Sequence, residues 1–432
     1  MDDILKECKI QSYKSLLDKP KELLELIQEC LTIKDIEKKL YGEVFTPMKL
    51  INDMLDKLPK KVWKKKHYKW LDICCGMGNF AIAVYLRLME GLKDEIEDFK
   101  ERKKHILENM LYMCELNKKN VFITKQILDI NNEYKLNIYE GDSLTANYNQ
   151  IFEIKEFNII VGNPPYNKNN TGTGQPIWHL FVEIALEKLL KDNGYLVFVH
   201  PSLWRKPQSN RTKMKKFFKL MTYYNQMLYL EIHNTKDGMK TFGCGTRYDF
   251  YVIKRTPIYT NTLILDDNNI KNELYLENYE WLPNSNYEII NNMLSHNNDK
   301  LTIINDCNYD RKNKLLVSSN KTDIFRYELI YLTPQKGIRY MYSKVNNKGH
   351  FGISKVIIGE TGMHNAINDY EGKYGMTQDA FGIVISTKEE GDAIIKFIKT
   401  PGFIKLIKEA CSWSNFRIDW RLFVNFKKTF YN

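Results

Sequence analysis

Apolar and polar positions along the first half of the chain alternate between two periods. Short apolar runs at residues 70–74, 109–114, 136–139, 157–161 and 195–199 predict buried strands, and amphipathic stretches at 80–88 and 177–190 predict helices between them. Alternation of this kind predicts a mostly parallel sheet with helices on its faces. Asn193-Gly194 supplies the turn into the last of these strands. A charged stretch at about 92–104 predicts an inserted helix, and the apolar runs at 228–232 and 248–253 predict a closing hairpin around Phe242-Gly243-Cys244-Gly245. Ahead of the sheet, residues 1–40 keep helical spacing with charged outer faces, as in Lys21-Glu22-Leu23-Leu24-Glu25-Leu26-Ile27.

The pattern changes after Thr256-Pro257. Residues 258–320 are rich in Asn and lack a sustained period, and from about 323 short apolar runs are broken by glycine turns, as in Ser354-Lys355-Val356-Ile357-Ile358-Gly359. Helical stretches follow at 389–398 and 403–411. The predicted organisation is a helical segment over 1–40, an α/β domain over 41–257 and a mixed α+β domain over 258–432, without internal repeats.

Composition narrows the class. Of 432 residues 43% are hydrophobic, enough for packed cores, and Lys+Arg exceed Asp+Glu by 64 to 53, a net charge of +11 suited to a polyanionic partner. The 8 cysteines show no zinc-site spacing, so no metal and reduced thiols are expected. Asp2, Asp3 and the charges that interrupt every early apolar run argue against a signal peptide, and no run is long enough to span a bilayer. A soluble, cytoplasmic protein is the expectation.

Two segments carry candidate chemistry. Phe157 to Val161 reads as a strand that stops at Gly162-Asn163-Pro164-Pro165-Tyr166. The paired prolines fix φ and lack N–H groups, so the Asn163 side-chain oxygen and the Pro164 carbonyl become two aimed acceptors at a strand end, with Tyr166 as a flat face beside them. Such a corner suits a planar amine, such as the exocyclic NH2 of a nucleobase. The second segment, Leu71-Asp72-Ile73-Cys74-Cys75-Gly76-Met77-Gly78-Asn79-Phe80, is a strand, a glycine turn and a helix start, where Gly76 and Gly78 let backbone approach a ligand. Glu115 at the end of the next strand is the expected ribose acid, and Asp142 ends the third strand, although Asp before a helix is also a common cap.

Together these residues resemble the N6-adenine DNA methyltransferases, in the group whose cofactor motifs precede the catalytic one. The resemblance covers about residues 41–256. Gly42-Glu43-Val44-Phe45-Thr46-Pro47 is similar to the family's first cofactor motif, and implies that Phe45, Thr46 and Pro47 meet the methionine end of S-adenosylmethionine. Asp72, Gly76, Gly78 and Phe80 match the glycine-loop motif, Glu115 and Asp142 match the acids for ribose and adenine, and Asn163, Pro164, Pro165 and Tyr166 match the catalytic motif. His200-Pro201-Ser202-Leu203-Trp204 also looks similar to the family pattern. Ile73-Cys74 and Met77 depart from the usual residues but leave the backbone scheme intact.

The resemblance implies a Rossmann-like methyltransferase sheet with a closing antiparallel hairpin and a second, mixed α+β DNA-recognition domain. It implies methyl transfer to N6 of an adenine flipped out of double-stranded DNA, with Tyr166 on one face of the base and Phe242 as a candidate for the other. In the second domain Lys336 and Arg339, with Lys344, Lys348, Tyr340 and Tyr342 nearby, form a basic and aromatic mix suited to DNA. The polar loop 167–174 is a candidate cover for the site. A cognate restriction endonuclease on a separate chain is a candidate partner, since the stretch before Gly42 is too short for a nuclease domain. N4-cytosine or RNA adenine methylation, protein-glutamine methylation, and an inactive relative that only binds nucleic acid all remain open at this level. Oligomeric state and recognition sequence are not legible.

Overall fold

The computed structural model describes residues 19–30, 45–168, 175–208, 213–295, 299–413 and 417–432. The readings made on residues 1–18 and 31–44, which include Gly42, Glu43 and Val44, and on the loop tip 169–174 lie outside the described residues. Two units divide the chain. One runs to Ser202 and resumes over Lys216–Tyr279, and the other takes Leu203–Lys215 and Glu280–Asn432.

Two helices open the described part of the first unit, α1 (Pro20–Cys30) and α2 (Met48–Leu55), and Leu23, Leu24, Ile51 and Met54 join its core. The sheet begins with β1 (Trp70–Asp72), followed by α3 (Asn79–Gly91), α4 (Phe99–Asn109), β2 (Leu111–Glu115), α5 (Lys118–Leu128), β3 (Asn137–Glu140), α6 (Tyr148–Phe152) and β4 (Phe157–Gly162). Then come α7 (Trp178–Ile184), β5 (Leu190–Pro201), α8 (Lys213–Thr222), β6 (Gln226–His233), α9 (Thr235–Phe242), β7 (Tyr248–Lys254), β8 (Thr262–Leu265) and β9 (Lys271–Leu274). Every residue of β1 and β2 is buried, as expected of parallel strands covered on both faces. Spatial order is β3-β2-β1-β4-β5-β7-β6-β8-β9. The first five of these strands run parallel, and β7 is antiparallel to both its neighbours. Because β2 lies on one side of β1 and β4 on the other, the order reverses at β1/β4. Open α/β sheets bind ligands in the crevice at that point.

The Rossmann-like sheet is therefore present, with three differences from the sequence reading. β6 and β7 do pair antiparallel, but α9 lies between them, so Phe242 ends a helix rather than sitting in a hairpin turn. Asn234 and Asp237 form a capping box at one end of α9, and Gly243, at φ 67°, closes the other. Next, β8 and β9 extend the same sheet beyond β6, so two strands of the first unit fall after residue 257, inside the Asn-rich stretch. Finally, β5 starts before Asn193-Gly194, which forms an irregularity within the strand rather than its entry turn.

The second unit is mixed α+β, as the pattern predicted. It holds two four-stranded sheets built from β10 (Ile303–Ile304), β11 (Val317–Ser318), β12 (Tyr327–Leu332), β13 (Arg339–Ser343), β14 (Lys355–Gly359), β15 (Gly362–Asp369), β16 (Gly375–Met376) and β17 (Ala380–Val384). Helices α10 (Tyr287–Met293), α11 (Lys388–Ile398), α12 (Pro401–Ala410) and α13 (Trp420–Val424) belong to it too, and Ile394, Ile398, Phe403, Ile407, Phe423 and Phe430 build much of its core. No helix among the described residues is long and apolar enough to cross a membrane.

Candidate active site

Register brings the two chemical segments together. Asp72, the last residue of β1, lies opposite Val161 in β4, two positions before Asn163. The loops leaving these strands emerge side by side at the crevice. Their closeness is measurable, because a Cβ placed on Gly162 would sit 3.3 Å from the Cys74 sulfur.

Asn163 is held from across the site. Its Nδ2 donates to the Thr46 hydroxyl at 3.0 Å, and the Thr46 carbonyl in turn accepts from Asn79 Nδ2 at 2.9 Å. Thr46 is 4% exposed, so the bond is shielded from competing water. With the amide nitrogen engaged, the Asn163 Oδ1 is left as a buried acceptor without a partner. Buried acceptors nearly always find a donor, so an orphan at the switch point of the sheet points to a donor brought by a ligand. The fixing residue, Thr46, stood in the sequence as a cofactor contact; its bond to Asn163 joins positions too far apart in the chain to be read there.

The glycine loop is open where a ligand would need it. Gly76 has φ +55° and no atom within 4 Å of the Cβ position, whereas Gly78 has φ +90° and a Cβ there would meet the Thr124 side chain at 3.1 Å. A side chain at either position is disfavoured by the backbone, and at Gly78 by contact as well. Gly78 caps α3. Glu115 anchors this loop, its Oε2 accepting from the Gly76 N–H at 2.8 Å and its Oε1 from the Asn117 N–H at 2.7 Å. The inserted helix α4 accounts for the long separation of Glu115 from the glycines.

Asp72 is 1% exposed, and neither of its oxygens has a partner in hydrogen-bonding geometry. Burial raises its pKa to about 8; the backbone amides of Cys74 and Ala81 oppose this, and the charge of Glu115 adds to it. The folded state therefore holds a proton that the unfolded state, with an ordinary carboxyl near 3.8, releases. This contribution to stability is present at acidic pH and is lost as pH rises from about 4 to about 8. Replacing Asp72 with Asn is expected to flatten the pH dependence of thermal unfolding over that window; an unchanged slope would contradict the assignment. Burial likewise pushes the thiols of Cys74 and Cys75 well up and that of Cys114 to about 12, so the loop offers no thiolate nucleophile.

The remaining predicted residues are placed as follows. Asp142 is exposed after β3 and accepts from the Leu144 N–H at 2.9 Å, a turn contact. Its neighbour Ser143 donates to the Ile73 carbonyl at 2.6 Å, which ties that turn to the end of β1. Phe45 packs half-buried on the core, Pro47 is exposed and caps α2, and Phe80 is buried in the core at the start of α3. Pro164 is buried and Pro165 half-buried. Tyr166 is half-buried, its buried hydroxyl lies near Asn163, Cys244 and Tyr248, and burial pushes its pKa up. Phe242 meets Tyr248 edge-on at 4.9 Å. Among the described residues no ring contact joins Phe242 to Tyr166; Tyr248, which Phe242 meets, interacts electrostatically with Tyr166.

His200 is fully buried and stacks on Trp178 at 4.2 Å. Its Nδ1 donates to the Pro201 carbonyl at 3.0 Å and its Nε2 accepts from the Tyr251 hydroxyl at 2.8 Å. Burial lowers its pKa to about 3, so it stays neutral and clamps α7 against β5. The base of the 167–174 loop is closed, with Lys168 N donating to the Gln175 carbonyl and Ile177 N to the Tyr166 carbonyl. In the second unit Lys336 and Arg339 are exposed at the start of β13, alongside Tyr340. No cluster of metal-ligating side chains occurs among the described residues.

Residues 83–237 match the family described as Eco57I restriction-modification methylase. An uncharacterized adenine-specific methylase of Mycoplasma pneumoniae is 25% identical over 260 residues, 43% of this chain and 62% of that protein. The type II restriction enzyme and methyltransferase RM.Eco57I of Escherichia coli is 22% identical over 400 residues, 71% of this chain and 40% of that protein. The chain thus aligns with less than two thirds of either relative's length. Among solved structures, the type IIL restriction-modification enzyme MmeI in complex with DNA superposes with a TM-score of 0.58 at 11% identity, covering 94% of this chain and 70% of that one, a likeness of fold. The motif order and the switch-point geometry agree with this match, so residues 83–237 are similar in sequence to the Eco57I restriction-modification methylase family, on an α/β fold like that of MmeI.

Proposed function

We propose that this protein transfers a methyl group from S-adenosylmethionine to the N6 amine of an adenine extruded from double-stranded DNA. The orphaned, buried Oδ1 of Asn163 beside the open glycine loop is the observation that carries this reading. The residues present fit the methyl donor: Gly76 leaves room against backbone, Glu115 is an acid that anchors the glycine loop, and Asp72 is a buried carboxyl at the end of β1 for a cationic group. When bound, the donor supplies an electrophilic methyl on a positively charged sulfur.

This chain's own groups then do the following. Asn163 Oδ1 and the Pro164 carbonyl accept the two N6 hydrogens of adenine. The amine lone pair, otherwise shared with the ring, is drawn onto nitrogen and aimed at the methyl, which is catalysis by orientation and preorganised dipoles. A nitrogen–carbon bond forms as the carbon–sulfur bond breaks, and the surplus proton leaves the amine afterwards, so no strong base is required. Tyr166 stacks on the extruded ring; stacking of this kind contributes about 1–3 kcal/mol per base, comparable with the cost of unstacking.

Thr46 acts as a positioning residue by holding the amide so that the oxygen, and not the NH2, faces the substrate. Thr46→Val is expected to lower kcat by about tenfold or more with KM for DNA little changed, since about 1–2 kcal/mol of hydrogen bonding is lost; Thr46→Ser should restore it. A matching loss in donor affinity with no Ser rescue would assign Thr46 to donor binding instead. Glu115→Ala is expected to weaken donor binding measured by calorimetry, because the glycine loop loses its anchor as well as a ligand acceptor. The overall assignment is tested by incubating the protein, labelled donor and duplex DNA or RNA of matched sequence. Label in duplex adenine supports it, and label confined to RNA or protein refutes it.

A further inference from the structure

The second unit contains a hollow that the methyl-transfer reading does not use. It has a volume of about 290 Å³, and its lining includes the apolar Trp281, Trp420 and Val424 and the cationic Lys215, Lys300 and Arg421. Glu280 is the one acid in the wall, and it already faces Lys215 at 3.4 Å. Beneath the rim, Asp419 takes Arg421 through two bonds, at 2.7 and 2.5 Å, and lies 3.9 Å from Lys206. Three cations thus pair with these two carboxylates, and Lys300 is exposed with no carboxylate within ion-pair distance among the described residues. Burial and the charge of Arg421 lower the pKa of Lys206 against the opposing charges of Asp419 and Glu360.

The aromatic wall is equally specific. Trp281 is 5% exposed and meets Trp413 edge-on at 5.6 Å, so it is a rigid back wall. Trp420 is only half-buried and has no ring partner among the described residues, which leaves an indole surface toward the hollow. Cations and an indole in one lining match a planar ring that carries a negative group, since bases stack on aromatic side chains while Lys and Arg take the phosphate. The volume lies at the small end for ligand sites, which suits one base with its phosphate rather than a longer stretch.

We propose that this hollow is a mononucleotide-binding site, in which Trp420 stacks on the base and Lys300, with Lys215, takes the phosphate. The nucleotide comes either from a DNA strand or from the free pool; both present the same chemistry. The hollow shares no lining residue with the methyl-transfer corner, and its test requires neither donor nor methylation, so failure of either reading leaves the other standing.

The test titrates the whole protein with thymidine monophosphate, with thymidine, and with a short oligothymidylate. Thymine lacks the exocyclic amine for which the Asn163 corner is built. Tryptophan fluorescence and equilibrium dialysis report binding. Quenching by thymidine monophosphate or the oligonucleotide, much weaker with thymidine, is expected. Trp420→Leu should weaken binding about fivefold or more, the equivalent of about 1 kcal/mol of lost stacking. Lys300→Ala, on an exposed side chain whose loss does not threaten folding, should weaken the phosphate-bearing ligands and leave thymidine unaffected. Preference for the oligonucleotide would identify a DNA strand as the source, and equal or better binding of the monophosphate would identify the free pool. Absence of binding, or binding indifferent to Lys300→Ala, would overturn the proposal.

Discussion

Asn163→Ala is expected to lower methyl transfer by at least about 10²–10³-fold while donor affinity stays within a few-fold of the parent. The expectation follows from what this side chain touches. Its Nδ2 is engaged by Thr46, and its Oδ1 has no protein partner, so truncation removes an acceptor that only substrate uses. Loss of one preorganised hydrogen-bonding group at the reacting centre typically costs about 2.7–4 kcal/mol. The glycine loop, with Gly76 held by Glu115, is independent of that amide and should still bind the donor. Single-turnover methylation and calorimetric donor binding separate the two. Parallel loss of both would show that Asn163 is part of donor binding, and retained turnover would remove it from the mechanism.

The largest expected effect on stability lies in the second unit, at a pair of charges no solvent reaches. Lys355 on β14 stands directly opposite Asp369 on β15, with side-chain exposures of 0% and 2% and a separation of 2.6 Å. All three ammonium hydrogens are used, on Asp369 and on the carbonyls of His350 and Ile353. Asp369 also accepts from the Lys373 and Tyr374 N–H groups, so it fixes the turn after β15. Removing one partner strands the other charge in a dry interior, which typically costs about 3–5 kcal/mol. Asp369→Ala is therefore expected to destabilise the second unit by about that amount in urea unfolding. Lys355→Met is expected to cost less than the carboxylate change, because Asp369 keeps its two backbone donors. A cost below about 1 kcal/mol for Asp369→Ala would mean that water or a shifted strand solvates the lysine.

What could be read from sequence divides along a physical line. The strand-and-turn segments around Asp72 and Asn163 were legible because their chemistry is local: apolar runs give strands, glycines give an open loop, and prolines give a fixed corner. The sheet around them followed from the same periodicity. β8 and β9 were not legible, since each is four residues long, too short to show a period, and β9 at the sheet edge is mostly polar. α9 was missed although its signals were present, an Asn234-x-x-Asp237 capping box and a terminal Gly243; the glycine-rich stretch was read as a turn instead. Contacts made across the chain were invisible in principle. Thr46 reaches Asn163 over a separation of 117 positions, and the pattern around Lys355 gives no hint that the lysine points inward.

Mass spectrometry of nucleosides from duplex DNA, incubated with the purified protein and isotopically labelled S-adenosylmethionine, tests the central claim most directly. Label in N6-methyladenine, abolished by Asn163→Ala, is the result that this account predicts. Label in N4-methylcytosine, or N6-methyladenine formed equally well by the Ala variant, would contradict it.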